Sequence, residues 1–230
     1  MVRAVEPFSM AKRSKVLSPA EVASAIYLDV VRDDLGGPVL VGVLSASRNG
    51  SSTLRRYVVD PTFASAGLAS GLPVDELARV LTRTVDRADA QGRSVIVWGP
   101  DRDDGLVGRL RYARPAAKRW RMARHEDVAF ARDGNGKRNR LDRYLPLAGY
   151  DVPARFAASK VGDHLRILRT QLERGVAFDD LRPTTKRRWE DVLGHNEHDC
   201  RGLRALCEAV AQELAEPTAR KRRKGKRKIA

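Results

Sequence analysis

The run from Ala25 to Val31, AIYLDVV, is apolar at every position but Asp29. A strand with one face in water would alternate, so an unbroken apolar run of this length reads as a strand buried on both faces. An acidic side chain in the middle of such a strand is costly unless something pairs it. Any fold that uses this run must therefore supply Asp29 with a partner. A divalent cation is one solution, because Mg²⁺ and Mn²⁺ take carboxylate oxygens and a rigid strand holds such an ion in place. Capping by backbone amides at a strand end, or an arginine, are the others.

The flanking pattern gives the rest of a sheet. Ser18-Pro19-Ala20-Glu21 has the form of a capping box with proline at the first helical position, so a short helix opens the domain. After the turn Asp33-Asp34-Leu35-Gly36-Gly37 comes a second strand, Pro38 to Ser45, and after Asn49-Gly50 a third, Leu54 to Val59. Tight turns make these an antiparallel meander. Pro73 to Ala90 places Leu77, Val80, Leu81, Val85 and Ala88 at helical spacing, and Ser94 to Trp98 is a fourth strand. A strand, a crossover helix and a strand imply parallel pairing, so the sheet is mixed. Downstream the pattern predicts helices over Asp103 to Tyr112, Ala116 to Arg124, Lys137 to Ala148, Lys160 to Arg174 and Thr184 to Leu214, with a short strand near Asp127 to Phe130.

Composition narrows the class. The chain has 230 residues with 42% hydrophobic, enough for one core of ordinary size, and this excludes a repeat array or a fully disordered chain. No run of about 18 apolar residues and no secretory signal is seen, so the expectation is a cytoplasmic protein with no membrane span. Cys200 and Cys207 lie two turns apart on one helical face, read as buried small hydrophobes rather than ligands. Trp98, Trp120 and Trp189 are scattered and read as core or amphipathic anchors, while His125 and His164 read as surface residues. The net charge of +15 is concentrated in Arg220, Lys221, Arg222, Arg223, Lys224, Lys226, Arg227 and Lys228, which supply +8; residues 1–17 add +3, leaving +4 for the roughly 200 residues between. Residues 1–17 and 217–230 are expected to be disordered basic tails around a domain over 18–216, and the second tail would grip phosphate backbones by counterion release.

A second constellation, His195-Asn196-Glu197-His198-Asp199-Cys200, opens the last amphipathic stretch. His195 and Asp199 are four apart and share a helical face, so Asp199 could reach an ion while His195 shuttles a proton or positions a water. His198 falls about 100° off that face.

Together these residues resemble a known pattern. Tyr27-Leu28-Asp29-Val30-Val31 followed by Gly37-Pro38-Val39-Leu40-Val41-Gly42-Val43 looks like the first motif and second strand of DEDD-type exonucleases of the ribonuclease H-like superfamily. The stretch 189–206, WEDVLGHNEHDCRGLRAL, is similar to their third motif. More narrowly it resembles a bacterial family of ribonuclease-H-like nucleases whose pattern is an aromatic residue, Asn, two variable residues and an Asp that opens a helix. Asn139 to Tyr144 and Leu147 to Tyr150 look like that family's helical insert, about 131–183. The resemblance implies an α/β, ribonuclease H-like mixed sheet of three antiparallel and then parallel strands, flanked by helices. It implies two-metal phosphodiester hydrolysis on DNA or RNA in the 3′ to 5′ direction, with four carboxylates holding two Mg²⁺ or Mn²⁺ ions. Asp29 matches the first carboxylate and Asp199 the last, with His195 where the family has tyrosine or histidine. Two departures stand out. The first motif should read D-x-E, but position 31 is Val31, and Asp33 is the candidate substitute. The second-motif acid falls among Asp101, Asp103 and Asp104.

A lost carboxylate weakens the second ion's site, which leaves two rivals to a full nuclease. One is an inactive nucleic-acid-binding module. The other is a docking protein whose helical half meets a helicase or a larger nuclease. Deleting residues 220–230 is expected to leave the domain folded while lowering nucleic-acid affinity; with about 0.9 of log–log salt slope per neutralised phosphate, the slope should fall by up to about 7, as read by binding titrations across salt concentrations.

Overall fold

The computed structural model describes residues 17–47, 49–99, 109–123 and 140–215. The expected acids Asp101, Asp103 and Asp104, His125, the expected strand near 127–130 and both basic tails lie outside these residues.

Five strands form one mixed sheet, β1 (Ile26–Arg32), β2 (Pro38–Ala46), β3 (Ser52–Val58), β4 (Val95–Val97) and β5 (Leu110–Tyr112), in the order β3-β2-β1-β4-β5. β1 is central and antiparallel to β2; β2 is antiparallel to β3; β4 lies parallel to both β1 and β5. The β1–β2 turn is set by Asp33, whose Oδ1 accepts the Gly37 N–H at 2.7 Å, and by Gly36 at φ 82°, a left-handed conformation glycine takes without steric cost. The helices are α1 (Pro19–Ala23), α2 (Ala64–Ala69), α3 (Leu77–Ala90), α4 (Ala113–Ala123), α5 (Val161–Glu173) and α6 (Pro183–Ala215).

Alternation along β1 assigns its faces. Ile26 and Leu28 join Val41, Val43, Val95 and Val97 against Val80, Leu81, Val85 and Ala88 of α3. Tyr27 and Val31 point the other way, toward α6, but into two different apolar clusters. Tyr27 packs with Trp120 of α4 and with Cys200, Leu203 and Cys207 of α6. Val31 packs with Phe63, with Leu165 and Leu168 of α5, and with Trp189 and Val192 of α6. Asp29 lies between the two. At the lower edge, the Arg93 guanidinium donates to the carbonyls of Ser24, Ala25 and Ala46, tying three chain segments to the start of the sheet.

The structure departs from the sequence reading in four places. Leu110–Tyr112 is a strand, not the end of a helix: Leu110 and Tyr112 pack toward α3, while Arg111 pairs with Glu21 of α1 at 3.1 Å. The expected helix Lys137 to Ala148 is, over its described part, two 3-10 turns, Leu141–Arg143 and Pro146–Ala148. Pro146 has no N–H to continue a helix, and Gly149 ends the turn at φ 72°. The third helix begins at Leu77 rather than Pro73, because Val74 forms a parallel bridge to Val58 and covers part of the β3 edge. Pro61–Phe63 and α2, unread in the sequence, start from Asp60, whose side chain caps Thr62 N–H at 2.9 Å. The two cysteines and Trp120 and Trp189 are buried as expected, and His164 is half-buried rather than exposed.

Arg169 of α5 bridges Asp33 at 2.7 Å and Asp60 at 2.6 Å, with its guanidinium 5.0 Å over the Phe63 ring. Asp33 is 5% exposed at the side chain and Asp60 15%, so removing the cation strands two nearly buried carboxylates. Arg169→Leu is expected to cost about 3 kcal/mol at pH 7, read as a lowered urea midpoint.

Candidate functional site

Asp29 is held from the helix side. Asn196 of α6 is fully buried and donates its Nδ2–H to Asp29 Oδ2 at 2.8 Å. The approach depends on Gly42, the cross-strand partner of Asp29 in β2: a Cβ there would sit 2.4 Å from Asn196 Oδ1. In β3 the same row continues with Arg56, opposite Gly42, which donates to the Leu193 carbonyl at 3.1 Å. Where the 140–160 segment packs on α6, the helix is stripped of bulk. Gly194 admits the ring of Phe156, and Gly202 admits Leu145.

One turn of helix relates His195 to Asp199, as the four-residue spacing predicts, with Nε2 3.4 Å from Oδ2. The other ring nitrogen, Nδ1, lies 3.0 Å from the Phe156 carbonyl. A carbonyl only accepts, so Nδ1 carries a hydrogen and Nε2 is left facing the carboxyl. Asp199 is raised from its ordinary 3.8 to about 7: burial is the largest cause, His195 opposes it, and the negative charges of Asp29 and Asp142 add to it. Asp199 therefore keeps its proton to near neutrality, on a carboxyl that faces the imidazole.

These groups meet at a cavity of about 230 Å³. Asp142, Asp151, His195 and Asp199 form its polar wall, and Leu145, Pro146, Tyr150, Val152 and Phe156 its apolar one. Asp29 is not on the wall, and acts on Asp199 from the sheet beneath. Asp142 is held by Arg140 through two contacts of 3.2 and 2.7 Å. At the rim, His198 leaves the His195 face as its register predicts. It pairs with the Tyr150 hydroxyl at 3.0 Å and packs on Phe156 at 5.0 Å, and burial lowers its pKa. The Arg155 guanidinium lies 4.2 Å from the centre of the Phe156 ring.

Asp29, His195 and Asp199 are thus brought to one region from positions far apart in the chain. Two expectations change. Asp199 sits well inside α6 rather than opening a helix, because buried apolar residues at helical spacing lie both before it, Trp189 and Val192, and after it, Leu203 and Val210. Asp33, the substitute for a glutamate at position 31, is engaged by Arg169 and the Gly37 N–H, away from Asp29, and Val31 itself is buried among α5 and α6 side chains. Asp142, Tyr150 and Phe156 were not read as site residues; nothing in their spacing marks them, since Asp142 and Phe156 sit on the 3-10 turns Leu141–Arg143 and Ala154–Phe156 and Tyr150 on the irregular stretch between. Among the described residues, no three His, Cys, Asp or Glu side chains gather closely enough to enclose a metal ion.

Compared with known proteins, the chain matches no family model, no curated protein and no solved structure.

The state of Asp199 has a sign that can be measured. Its affinity for protons is higher folded than unfolded, so between about pH 4 and pH 7 the folded chain keeps a proton the unfolded chain has released, and stability falls as pH rises through that window. At about 1.4 kcal/mol per tenfold of affinity the contribution reaches up to about 4 kcal/mol. Asp199→Asn is expected to flatten this dependence, making the variant more stable relative to wild type at pH 8 than at pH 4.5, as read by urea unfolding with a chelator present.

Proposed function

We propose that this chain is a ribonuclease H-like, divalent-cation-dependent phosphodiester hydrolase acting on nucleic acid. The observation that carries the reading is the gathering of carboxylates at one cavity, Asp142 and Asp199 on its wall and Asp29 beneath, where burial first and these neighbouring charges second raise Asp199 toward neutrality. A half-buried cluster of carboxylates that holds a proton is one a hard cation could neutralise instead. The strand order, three antiparallel strands followed by parallel ones with β1 central, supports the same reading.

The donor set fits a single, well-hydrated ion. Mg²⁺ commonly keeps several waters and uses one or two carboxylates, which suits Asp29 and Asp199 without a third protein ligand. When bound, Mg²⁺ or Mn²⁺ supplies Lewis-acid stabilisation of charge on a phosphoryl group. Among the described residues, position 31 supplies no carboxylate for the second ion of the two-metal scheme, since Val31 is apolar and Asp33 is taken by Arg169. The protein's own part is to orient and to move protons. His195 Nε2 faces the Asp199 carboxyl with the Nδ1–H fixed on Phe156, an arrangement suited to accepting a proton from water or returning one to a leaving oxygen. Arg155, exposed at the rim over Phe156, offers positive charge to a backbone phosphate.

The competing reading, a binding module with no turnover, rests on that same missing carboxylate. The two separate on a fluorescent single-stranded oligonucleotide with millimolar Mn²⁺. Hydrolysis is expected to be slow and chelator-sensitive, and Asp29→Ala and Asp199→Ala each to lower it at least 100-fold. Cleavage surviving both substitutions overturns the hydrolase assignment at this site, and tight binding without product favours the binding module.

A further inference from the structure

Asn196 is the one fully buried polar side chain on the described part of α6 whose two ends are treated so differently: Nδ2 donates to Asp29 Oδ2 at 2.8 Å, while Oδ1 is buried with no hydrogen-bond partner. A buried amide oxygen left so forfeits the hydrogen bonds it would make to water, a penalty that a side chain present only to fill space would not incur. An apolar residue of like volume would fill it without the penalty. The unpaired oxygen rests against the backbone of Gly42, in the gap where any other residue would place a Cβ within 2.4–2.8 Å of the amide. Gly42 is the register partner of Asp29, so the helix reaches the carboxylate only over a bare strand position.

We infer that Asn196 is a positioning residue for Asp29, and that Gly42 is the seat that lets it act: together they fix the direction in which the carboxylate presents its oxygens to a cation. The inference rests on the proposed cation site for its consequence, but not for its geometry. An amide suits the task better than the arginine used elsewhere in the fold. Arg169 and Arg140 also hold carboxylates, Asp33, Asp60 and Asp142, and each brings a positive charge. Asn196 orients without adding charge, leaving the local field negative.

The test is a cycle of Gly42→Ala, Asn196→Ala and the double variant on the full chain, with Mn²⁺ alone as the probe. Adding a methyl at position 42 pushes on the Asn196 amide while both Asp29 and Asn196 keep their own side chains, so each single variant is expected to weaken Mn²⁺ about tenfold by calorimetry, and the double no more than Asn196→Ala. A second readout needs no metal. In the ¹⁵N-labelled chain, the Asn196 side-chain amide should exchange slowly in wild type and rapidly in Gly42→Ala. Gly42→Ala should lower the melting midpoint by about 5 °C in wild type but by about 1 °C or less once Asn196 is alanine, because the space is then vacant. Should Gly42→Ala fail to fold, the double variant, which has the vacant space, is compared with Asn196→Ala alone. Unchanged Mn²⁺ affinity in both single variants that still bind, or fully additive losses, overturns the inference. If wild type binds no Mn²⁺, the hydrolase reading fails, and the amide exchange and melting cycle alone decide whether Asn196 is seated by Gly42.

Discussion

A carboxylate on the central strand of a five-stranded sheet, tied to a helix 167 residues further along, is the constraint around which this protein is arranged. Desolvating Asp29 without compensation would be costly, and the amide of Asn196 supplies part of that compensation only if α6 crosses β1 and β2 at one height. That crossing requires a bare position on the sheet, and the 140–160 segment packed on α6 requires two more on the helix. Gly42 on the sheet and Gly194 and Gly202 on the helix are the positions where the amide, the Phe156 ring and Leu145 occupy what would have been side-chain volume. Packing and polarity therefore specify the same docking, which is the kind of agreement between levels that makes one arrangement win over its neighbours.

The polar strip also explains why the α6 side of the sheet holds two apolar clusters instead of one. Trp189 and Val192 belong to the first with α5, and Cys200, Leu203, Leu206 and Val210 to the second with α4. Between them the helix shows His195, Asn196 and Asp199. The 140–160 segment closes over this interval, fastened by the Phe156 carbonyl on His195 and its ring on Gly194. The cavity exists because neither apolar cluster extends across the gap.

What the sequence revealed follows from which signals are local. The apolar run with a single acid at Asp29 and the four-residue step from His195 to Asp199 are carried by regular elements, so their periods place the side chains in advance. The meander, the crossover helix and the parallel fourth strand were legible for the same reason. Leu110–Tyr112 was read as helix because three residues are too few for a period of 2 to declare itself, and its strand pairing is decided by β4 alongside. Asp142 and Phe156 sit on 3-10 turns, where no repeat relates one side chain to the next, and they reach the cavity through tertiary contacts alone. Asp33 would share the face of Asp29 only if β1 ran on past Arg32; the strand ends there, and the turn and Arg169 draw Asp33 to another cluster.

The glycines of α6 carry one more implication. Glycine in a helix interior gives up about 1 kcal/mol relative to alanine, and α6 places Gly194 and Gly202 on either side of the His195–Asp199 step, in the middle third of its 33 residues. The stretch that bears the titrating side chains is therefore the one least able to stay coiled by its own backbone preference. It borrows its regularity from Phe156 and Leu145, so anything that lifts the 140–160 segment away also loosens the helix beneath it, and the cavity's wall and floor would come apart as one cooperative unit.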